Sequence, residues 1–335
     1  MHYDPDQLQS NLPGIWKYRS AFSLPDGAPL VTLGEGSTPL IQEEFFGEQI
    51  WFKLESLNPT GSFKDRGSAV LASWLLAGDI RTAVEDSSGN AGASFAAYTS
   101  RVGIQSKVFI PAYAAGPKRL QIESFGSEVV PIPGPRSKAA EAVIEEVKAG
   151  AVYASHAYLP QGTAGIASIA YELIDQLGES PGTILLPVGH GSLLLGIALG
   201  FDALLKSGVI PTGPRLIAVQ SAVYNPLYQA FAAGSKTVDP VPEGNTIAEG
   251  VAIADPYHGS EVLKAIRESE GMVLQAADDQ IMAGMRQLAY HGIYAEITSG
   301  LVWEGLRQLA GKLVGPTVCI ISGNGLKNPS TVASP

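Results

Sequence analysis

The sequence predicts an α/β protein built from parallel sheets with helices on both faces, and two observations lead to this fold class. Short apolar runs alternate with helix-like stretches through most of the chain, which is typical of βαβ units, where a crossover helix joins two parallel strands. The chain has 335 residues and 45% hydrophobic content, enough to bury the cores of about two domains. We therefore expect two domains, each with a mostly parallel, twisted sheet flanked by helices.

A first series of alternating elements lies between residues 81 and 149. We predict strands at 81–85, 107–110 and 128–132, and helices at 91–102, 117–125 and 137–149. Pro117 opens its helix at a position where the missing N–H of proline has no intrahelical partner to lose. Because each helix connects two strands, the strands of this series should run parallel.

A second series of the same kind follows in the rest of the chain. We predict strands at 183–188, 215–220 and 318–321, and a helix at 192–206. The two series should form two α/β domains with a cleft between them. Ligands of open α/β sheets collect at the carboxyl ends of the strands, so we expect the functional residues in the turns that follow them.

Charge and composition argue against nucleic acid and against an anionic membrane as partners. The formal net charge is −10 and the pI is near 5.0, and the basic residues are scattered along the sequence, whereas nucleic-acid binding needs a basic surface. No signal peptide is visible at the amino terminus, and the apolar run 184–188 is too short to span a bilayer. The single cysteine, Cys319, cannot form an internal disulfide, which fits a reducing compartment. We expect a soluble, cytoplasmic protein.

Lys64 lies at the most informative position of the sequence. It follows an apolar, strand-like stretch and an Asn-Pro-Thr-Gly turn, and it precedes a helix-like segment that begins at Gly67. At such a strand-turn-helix junction, beside Phe63, one amine can be partly desolvated. Desolvation lowers the pKa of a lysine, and an amine must lose its proton before it can attack an aldehyde.

A second polar segment covers residues 85–93, between a predicted strand and a predicted helix. Free backbone N–H groups and the helix dipole favour a carboxylate at this position. The side chains and backbone of the turn that follows the strand supply the donors, namely Ser87, Ser88, Gly89, Asn90 and Ala91. An ordinary N-capping loop is the alternative interpretation.

A third segment, residues 186–196, runs from a strand through a glycine-rich turn into a long helix. The backbone amides of Gly189, His190, Gly191, Ser192 and Leu193 can surround a phosphate there. The segment lacks the lysine of a P-loop, and tight packing of the helix on the strand is an equally good interpretation of the glycines. His190 is either a loop histidine bonded to backbone or an additional proton donor.

The fourth segment places Ser322 directly after the apolar strand 318–321. Its hydroxyl should therefore emerge at the carboxyl edge of the sheet, where ligands bind. A hydroxyl is a neutral group that can both donate and accept a hydrogen bond.

The amino-acid sequences of these segments resemble the motifs of a known family. Residues 59–67, Pro-Thr-Gly-Ser-Phe-Lys-Asp-Arg-Gly, look like the cofactor-lysine motif of threonine synthases and related threonine/serine dehydratases. These are pyridoxal-phosphate (PLP) enzymes of the tryptophan synthase β-like fold, also called fold type II. The similarity runs from about residue 30 to the end of the chain, and the four motifs occur in the order of the family.

The resemblance implies a role for each segment. Lys64 would hold pyridoxal 5′-phosphate as a Schiff base, with Phe63 beside it. The loop from Ser87 to Ala91 would bind the substrate carboxylate, with Asn90 donating to the phenolic oxygen of the cofactor. The loop from Gly189 to Leu193 would bind the cofactor phosphate, and Ser322 would contact the ring nitrogen.

The resemblance also implies the organisation of the protein. The smaller domain, with the substrate carboxylate loop, would span residues 46–149. The larger, PLP-binding domain would be built from 1–45 and 150–335. The PLP would lie in the cleft between them, no metal would be needed, and the protein would form a homodimer.

Substrate identity stays open at this point. Many threonine synthases place an arginine and a lysine for the substrate phosphate just before the helix that matches residues 168–173, and this chain has only His156 near that position. The first hypothesis is a threonine synthase-like lyase, and the second is a threonine/serine dehydratase or ammonia-lyase. A non-catalytic PLP-binding paralogue is the third. The roles of His156, His190 and Glu296 are also left open.

Overall fold

The computed structural model describes residues 1–134, 136–155 and 158–327. The strands, in chain order, are β1 (Leu40–Phe45), β2 (Glu48–Lys53), β3 (Thr82–Glu85), β4 (Gln105–Pro111), β5 (Glu128–Ile132), β6 (Val152–Tyr153), β7 (Thr183–Pro187), β8 (Arg215–Ser221), β9 (Met272–Ala276) and β10 (Thr317–Ile320). The helices are α1 (Lys64–Ala77), α2 (Asn90–Arg101), α3 (Pro117–Ser124), α4 (Arg136–Lys148), α5 (Pro160–Leu177), α6 (Ser192–Lys206), α7 (Pro226–Ala232), α8 (Gly259–Glu268), α9 (Asp278–Tyr290) and α10 (Gly300–Leu309). In the described part of the chain, none of the helices is both long and apolar enough to cross a membrane.

The strands and helices that the sequence predicted are confirmed, with ends that agree to within two residues except at α1, which begins at Lys64 and not at Gly67. The α/β fold class is confirmed with them. The strands β1, β2, β6 and β9 and the helices α7 to α10 were not predicted. Strands β1 and β2 form an antiparallel hairpin around Phe46 and Gly47, whose φ angles are 57° and 78°. Two consecutive positive φ angles are typical of a type I′ turn. The turn was not predicted because its residues are Phe-Gly and not the Asn-Gly dipeptide that usually indicates this turn type.

The larger sheet has the strand order β1-β2-β10-β7-β8-β9 within the described residues. All of its neighbouring pairs are parallel except β1–β2. Its central strand β7 is buried along its whole length, as expected for a parallel strand covered by helices on both faces. The carboxyl ends of β7 and β10 therefore meet at one edge of the sheet.

The smaller sheet has the order β5-β4-β3-β6 within the described residues, and its pairs are parallel. Alternate residues of its central strands pack into separate cores on the two faces. Ala83 and Val108 contact the core that includes α1 and α2, whereas Val84 and Phe109 pack against α4. Helices on both faces thus bury the sheet and leave its carboxyl edge accessible.

The domain bounds derived from the resemblance, 46–149 for the smaller domain, stay a prediction. The strand pairing shows which strands belong to each sheet. Strand β2 belongs to the larger sheet, where it pairs with β10 near the other end of the chain. Strand β6 lies at the edge of the smaller sheet, beside β3.

A fully buried network of charges connects the elements around α1. The guanidinium of Arg66 donates to both carboxylate oxygens of Glu55 (2.6 and 2.7 Å) and to both of Glu172 (2.7 and 2.8 Å). The ammonium of Lys53 donates to Glu172 (2.7 Å). Arg66, Lys53 and Glu55 have no solvent exposure, and Glu172 is only 4% exposed. The network therefore fixes α1 to β2, to the turn that follows β2, and to α5.

The two cations determine the protonation of Glu172. Burial by itself raises the pKa of this carboxyl group, but the charges and hydrogen bonds of Arg66 and Lys53 outweigh that effect and hold the pKa at about 2, below its ordinary value of 4.5. Glu172 is therefore ionised, as a carboxylate, in the folded protein. Removing one member of such a network leaves an uncompensated buried charge, which is strongly destabilising.

Replacing Glu172 with glutamine (Glu172→Gln) should lower the free energy of unfolding at pH 7 by about 3–5 kcal/mol, the usual cost of breaking a buried ion pair. Because the pKa of Glu172 is lowered on folding, the stability that it contributes is complete above pH 4.5 and is lost as the pH falls toward 2. The difference between wild type and variant should therefore shrink as the pH falls through this window.

Urea unfolding of both proteins at pH 7 and at successively lower pH measures this difference. Glu179→Gln is the matched control, because Glu179 is an exposed glutamate just beyond the end of α5. The control should change the free energy of unfolding by less than about 0.5 kcal/mol. A Glu172→Gln penalty that stayed constant down to pH 3 would contradict the ionised network.

Candidate active site

A single cleft brings most of the predicted functional residues together. The space in the cleft that no protein atom fills, including its open mouth, is about 890 Å³, within the range of small-molecule sites. The predicted residues that line it are Phe63, Lys64, Ser87, Asn90, Ala91, Gly189, His190, Gly191, Ser192, Leu193 and Ser322. Ser88 and Gly89 belong to the same turn as Ser87 but do not line the cleft. His156 lies outside the described residues.

Lys64 is the first residue of α1 and reaches into the cleft. The segment before it is held against the end of β10, because Ser62 pairs with Gly323 and the N–H of Phe63 donates to the carbonyl of Ser322 (3.1 Å). The Nζ atom of Lys64 donates to Ser192 Oγ at 3.4 Å and lies 4.7 Å from the centroid of the Phe63 ring. The amine is therefore placed at the amino terminus of α6.

The turn before Lys64 is fixed by the carboxylate of Asp65. This group accepts the backbone N–H and the hydroxyl of Thr60 and the hydroxyl of Ser94, each at 2.6 Å. Asp65 is fully buried, and burial raises its pKa to about 6 despite these hydrogen bonds. Since Ser94 lies on α2, the bonds join the lysine turn to the helix that begins at Asn90.

The glycine-rich turn between β7 and α6 has the geometry of an anion site. Its last glycine, Gly191, has a φ of 95°, a conformation that L side chains rarely adopt. A Cβ at this position would lie 2.2 Å from Cγ2 of Val262, so only glycine fits. The first N–H groups of α6, from Ser192 on, have no intrahelical acceptor and are directed at the cleft, where helix dipole and amides favour a phosphate.

Asn90 and Ser322 face each other across the carboxylate of Glu296. The Nδ2 atom of Asn90 donates to Glu296 Oε2 (2.9 Å), and the hydroxyl of Ser322 donates to Oε1 (3.0 Å). Ser299 contacts Ser322, with the two Oγ atoms 3.2 Å apart. Sequence reasoning noted Glu296 without assigning a role and did not single out Ser299. In the sequence, only the segment from Glu296 to Gly300 pointed to these two residues. Their partners could not be read from it, because Asn90 and Ser322 lie in other parts of the chain.

The charge of the cleft is mainly acidic. Among the described residues that line it, Lys64 is the only lysine or arginine, whereas the carboxyl groups come from Glu85, Asp86 and Glu296. In the same described part of the chain, no group of three or more His, Cys, Asp or Glu side chains could hold a metal ion. Within the described residues, the cleft therefore offers one lysine amine, the amino termini of α1, α2 and α6, and several hydrogen-bonding groups.

The residues present fit pyridoxal 5′-phosphate. The amine of Lys64 can attach the aldehyde, and the amino terminus of α6 can bind the phosphate. Asn90 uses one N–H of its amide on Glu296 and keeps a second one for a phenolic oxygen. Its Oδ1 atom is buried without a hydrogen-bond partner, an unsatisfied polar group on a residue that lines the cleft.

Comparison with known proteins establishes the family. Residues 31–323 match the model of the pyridoxal-phosphate dependent enzyme family. A threonine synthase of Methanosarcina acetivorans is 33% identical, and the alignment covers 98% of this chain and 84% of that protein. A threonine synthase of Mycobacterium leprae is 34% identical, with coverage of 95% and 90%. The chain thus belongs to the family of pyridoxal-phosphate dependent enzymes, and the predicted cofactor and enzyme class are confirmed.

The solved structures with similar folds agree with this result. The processed form of threonine deaminase isoform 2 from Solanum lycopersicum superimposes with a TM-score of 0.77, and the match covers 99% of this chain and 96% of that one. The sequence identity is 20%, so this likeness shows the fold alone. It confirms the predicted α/β architecture of fold type II.

Gly191→Ala should weaken PLP binding by about tenfold or more, because the clash with Val262 and the unfavourable φ would displace the amides that bind the phosphate. Titration of the apoprotein with PLP, followed by its visible absorbance, measures the affinity. Gly208→Ala is the matched control. Gly208 also has a positive φ (72°), but a Cβ added there would meet nothing within 4 Å, so its variant should keep the wild-type affinity. Equal affinities for all three proteins would remove this turn from the phosphate site.

Proposed function

We propose that this protein is a threonine synthase-like, PLP-dependent lyase that acts on a small amino acid by α-proton abstraction and β/γ-elimination or replacement. One observation carries the proposal. The amine of Lys64 lies at the amino terminus of α6, 3.4 Å from Ser192 Oγ, in a cleft that also contains Asn90 and Ser322. An amine, an anion site and two polar contacts are the set of groups that a PLP enzyme needs around its cofactor.

Each group has a separate task in binding. Lys64 attaches the cofactor, and the amides from Gly189 to Leu193 bind its phosphate. Asn90 and Ser322 orient the ring. The turn from Ser87 to Ala91 receives the carboxylate of the substrate, because it ends at the amino terminus of α2, where free N–H groups favour an anion.

The chemistry requires one proton transfer at the α carbon. When bound, the cofactor supplies an electron sink for the negative charge that develops there. The amine of Lys64, which lines the cleft, would take the proton from the α carbon of the substrate and return it later. The half-buried position of this amine, against the ring of Phe63, limits its access to water.

The threonine synthases that match the chain over most of its length support the conversion of O-phosphohomoserine and water to threonine and inorganic phosphate. One observation favours the alternative, a threonine/serine dehydratase. A dianionic substrate phosphate calls for arginine or lysine, and among the described lining residues the cleft offers only Lys64, which the cofactor occupies. A hydroxyl leaving group has no such requirement.

We also propose that the chain forms a homodimer and resides in the cytoplasm, as the resemblance and the composition predict. The single cysteine, Cys319, is completely buried, and burial raises the pKa of its thiol, so the reactive thiolate is disfavoured. We further propose that the smaller domain spans residues 46–149 and that residues 1–45 and 150–335 form the larger one.

Lys64→Ala should abolish covalent attachment of PLP and reduce turnover by at least about 10²–10⁴-fold, the usual contribution of a general acid–base group. The visible absorbance of the purified protein and the rate of product formation measure both effects. Lys264→Ala is the matched control, because the side chain of Lys264 on α8 is 73% exposed. A Lys64→Ala protein with full activity would refute the proposed mechanism.

The substrate class can be determined by adding O-phosphohomoserine, threonine and serine one at a time to the holoenzyme. We expect a shift of the visible band and release of inorganic phosphate with O-phosphohomoserine. Formation of a 2-oxo acid and ammonia from threonine or serine, without phosphate release from O-phosphohomoserine, would instead identify a dehydratase. The three products are chemically distinct, so one set of assays separates the two functions.

A further inference from the structure

The turn before Lys64 is bound on a second side by the side chain of Gln121. The Nε2 atom of Gln121 donates to the carbonyl of Thr60 (3.2 Å). Its Oε1 atom accepts a hydrogen bond from Nζ of Lys327 (3.0 Å). The amide of Gln121 therefore connects the side chain of Lys327 to the backbone of the turn that leads to Lys64.

These three residues belong to different parts of the fold. Gln121 lies on α3, next to Ile122, whose side chain belongs to the core on one face of the smaller sheet. Lys327 is the last residue of a 3₁₀ turn, Gly325–Lys327, that follows β10 of the larger sheet. Thr60 lies in the turn before α1. The two hydrogen bonds thus join both sheets to the lysine turn.

The segment that carries Lys327 also packs on this turn. The N–H of Asn324 donates to the carbonyl of Gly61 (2.9 Å), and the N–H of Lys327 donates to the carbonyl of Asn324 (3.1 Å). Gly61 has a φ of 84°, and a Cβ added there would lie 3.0 Å from Cε of Lys327. The aliphatic part of Lys327 therefore lies directly against Gly61, and its amine extends to Gln121.

The charge of Lys327 determines the orientation of the Gln121 amide. Lys327 is 6% exposed. Burial lowers its pKa to about 8, although the negative charges of Glu296 and Asp65 oppose the shift, so the side chain is an ammonium group at pH 7. An ammonium can only donate hydrogen bonds, so Oε1 of Gln121 must face it and Nε2 is directed at the carbonyl of Thr60. The reversed amide would oppose two donors and two acceptors, which is unfavourable.

We propose that Lys327 is a positioning residue that, through Gln121, fixes the turn before Lys64 and thereby places the lysine amine in the cleft. This inference rests on the proposed function, since it takes Lys64 as the residue that attaches PLP. Asp65 binds the N–H and the hydroxyl of Thr60, and Gln121 binds its carbonyl. The peptide planes before and after Thr60 are thus both held, and neither can rotate without losing a hydrogen bond.

The expected effect of this network is on the chemical step. A displacement of about 1 Å at a reacting group can cost about 10²-fold in rate, and Lys64 follows the turn directly as the first residue of α1. The side-chain bonds of Gln121 and Lys327 lead to the lysine turn and not to the substrate loop from Ser87 to Ala91. Loss of these bonds should therefore change kcat more than KM.

The first test measures steady-state turnover of O-phosphohomoserine, or of threonine if the enzyme proves to be a dehydratase. Lys327→Met keeps an unbranched side chain against Gly61 but removes the ammonium. We expect kcat to fall by about tenfold or more because the lysine turn loses its support. The KM should stay within about twofold of the wild-type value, since the substrate loop is not affected.

Gln121→Glu separates the positioning of the turn from a simple tether between the sheets. Its carboxylate can still bind the ammonium of Lys327, as an ion pair, but it cannot donate to the carbonyl of Thr60. We therefore expect kcat to fall as far as in Lys327→Met. A tether between α3 and the segment after β10 would instead leave Gln121→Glu with wild-type activity.

Hydrogen exchange of the apoprotein is a second measurement, which does not depend on turnover. In Lys327→Met and Gln121→Glu, the amides of residues 58–66 should exchange about tenfold faster than in wild type, because local opening of the turn becomes easier. The amides of β7 and α6 should keep their wild-type rates. Faster exchange throughout the protein would indicate general destabilisation and would contradict the proposal.

Lys118→Met is the matched control. Besides burial, the positive charge of Lys118 on α3 lowers the pKa of Lys327, so its removal takes away a repulsion and leaves the bonds of Gln121 in place. Its kcat and its exchange rates should equal those of wild type. Wild-type kcat in Gln121→Glu would overturn the proposal, and so would wild-type kcat in Lys327→Met. If Lys327→Met does not fold, Gln121→Glu decides the question.

Failure of the proposed function gives a different result. Borohydride reduction followed by peptide mapping shows whether the cofactor is attached to Lys64. Absence of that adduct in the wild-type protein would refute the PLP site itself. An adduct on Lys64 together with wild-type kcat in Gln121→Glu would refute only the role of Lys327.

Discussion

The buried ion network around Arg66 is the interaction on which the rest of this structure depends. Four charged side chains lie in the interior with 4% exposure or less, which is tolerable only because each carboxylate oxygen of Glu55 and Glu172 has a cationic donor. Arg66 is two residues after Lys64, so the network that fixes α1 also fixes the start of the helix from which the lysine reaches the cleft. Hydrophobic side chains in place of these four charged ones would fill the same volume but would hold the orientation of α1 less closely.

Parallel strands then bring separate parts of the chain to one place. Asn90 follows β3, Ser192 follows β7 and Ser322 follows β10, and each residue stands where its strand has ended. Because a parallel sheet directs all of its carboxyl ends to the same edge, residues more than two hundred positions apart meet across the cleft between the two sheets. Asp65 adds a local constraint, since its bonds to Thr60 and Ser94 hold the lysine turn against α2.

Two polar side chains of the cleft, Asn90 and Ser322, depend on one hydrogen-bond acceptor, the carboxylate of Glu296. The carboxylate of Glu296 accepts hydrogen bonds from Asn90 and from Ser322, so a single buried acceptor orients two side chains that line the cleft. The remaining charges have a different effect. Glu85 and Asp86 line the wall beside Ser87, and their negative charge disfavours a dianionic group there. The amino terminus of α6 and the wall at Glu85 therefore give two parts of the same cleft different electrostatic surroundings.

The sequence by itself determined the fold class, the strands and helices of the two predicted series, and the segments around Lys64, Asn90 and Ser322 that line the cleft. These features are local, because turns, helix starts and strand propensities depend on neighbours along the chain. The tertiary structure alone decided the hairpin of β1 and β2, the partners of Arg66, and the contact of Glu296 with both Asn90 and Ser322. Hydrogen bonds between residues that are 206 and 26 positions apart leave no pattern in a single sequence, because their geometry exists only after the sheets have assembled.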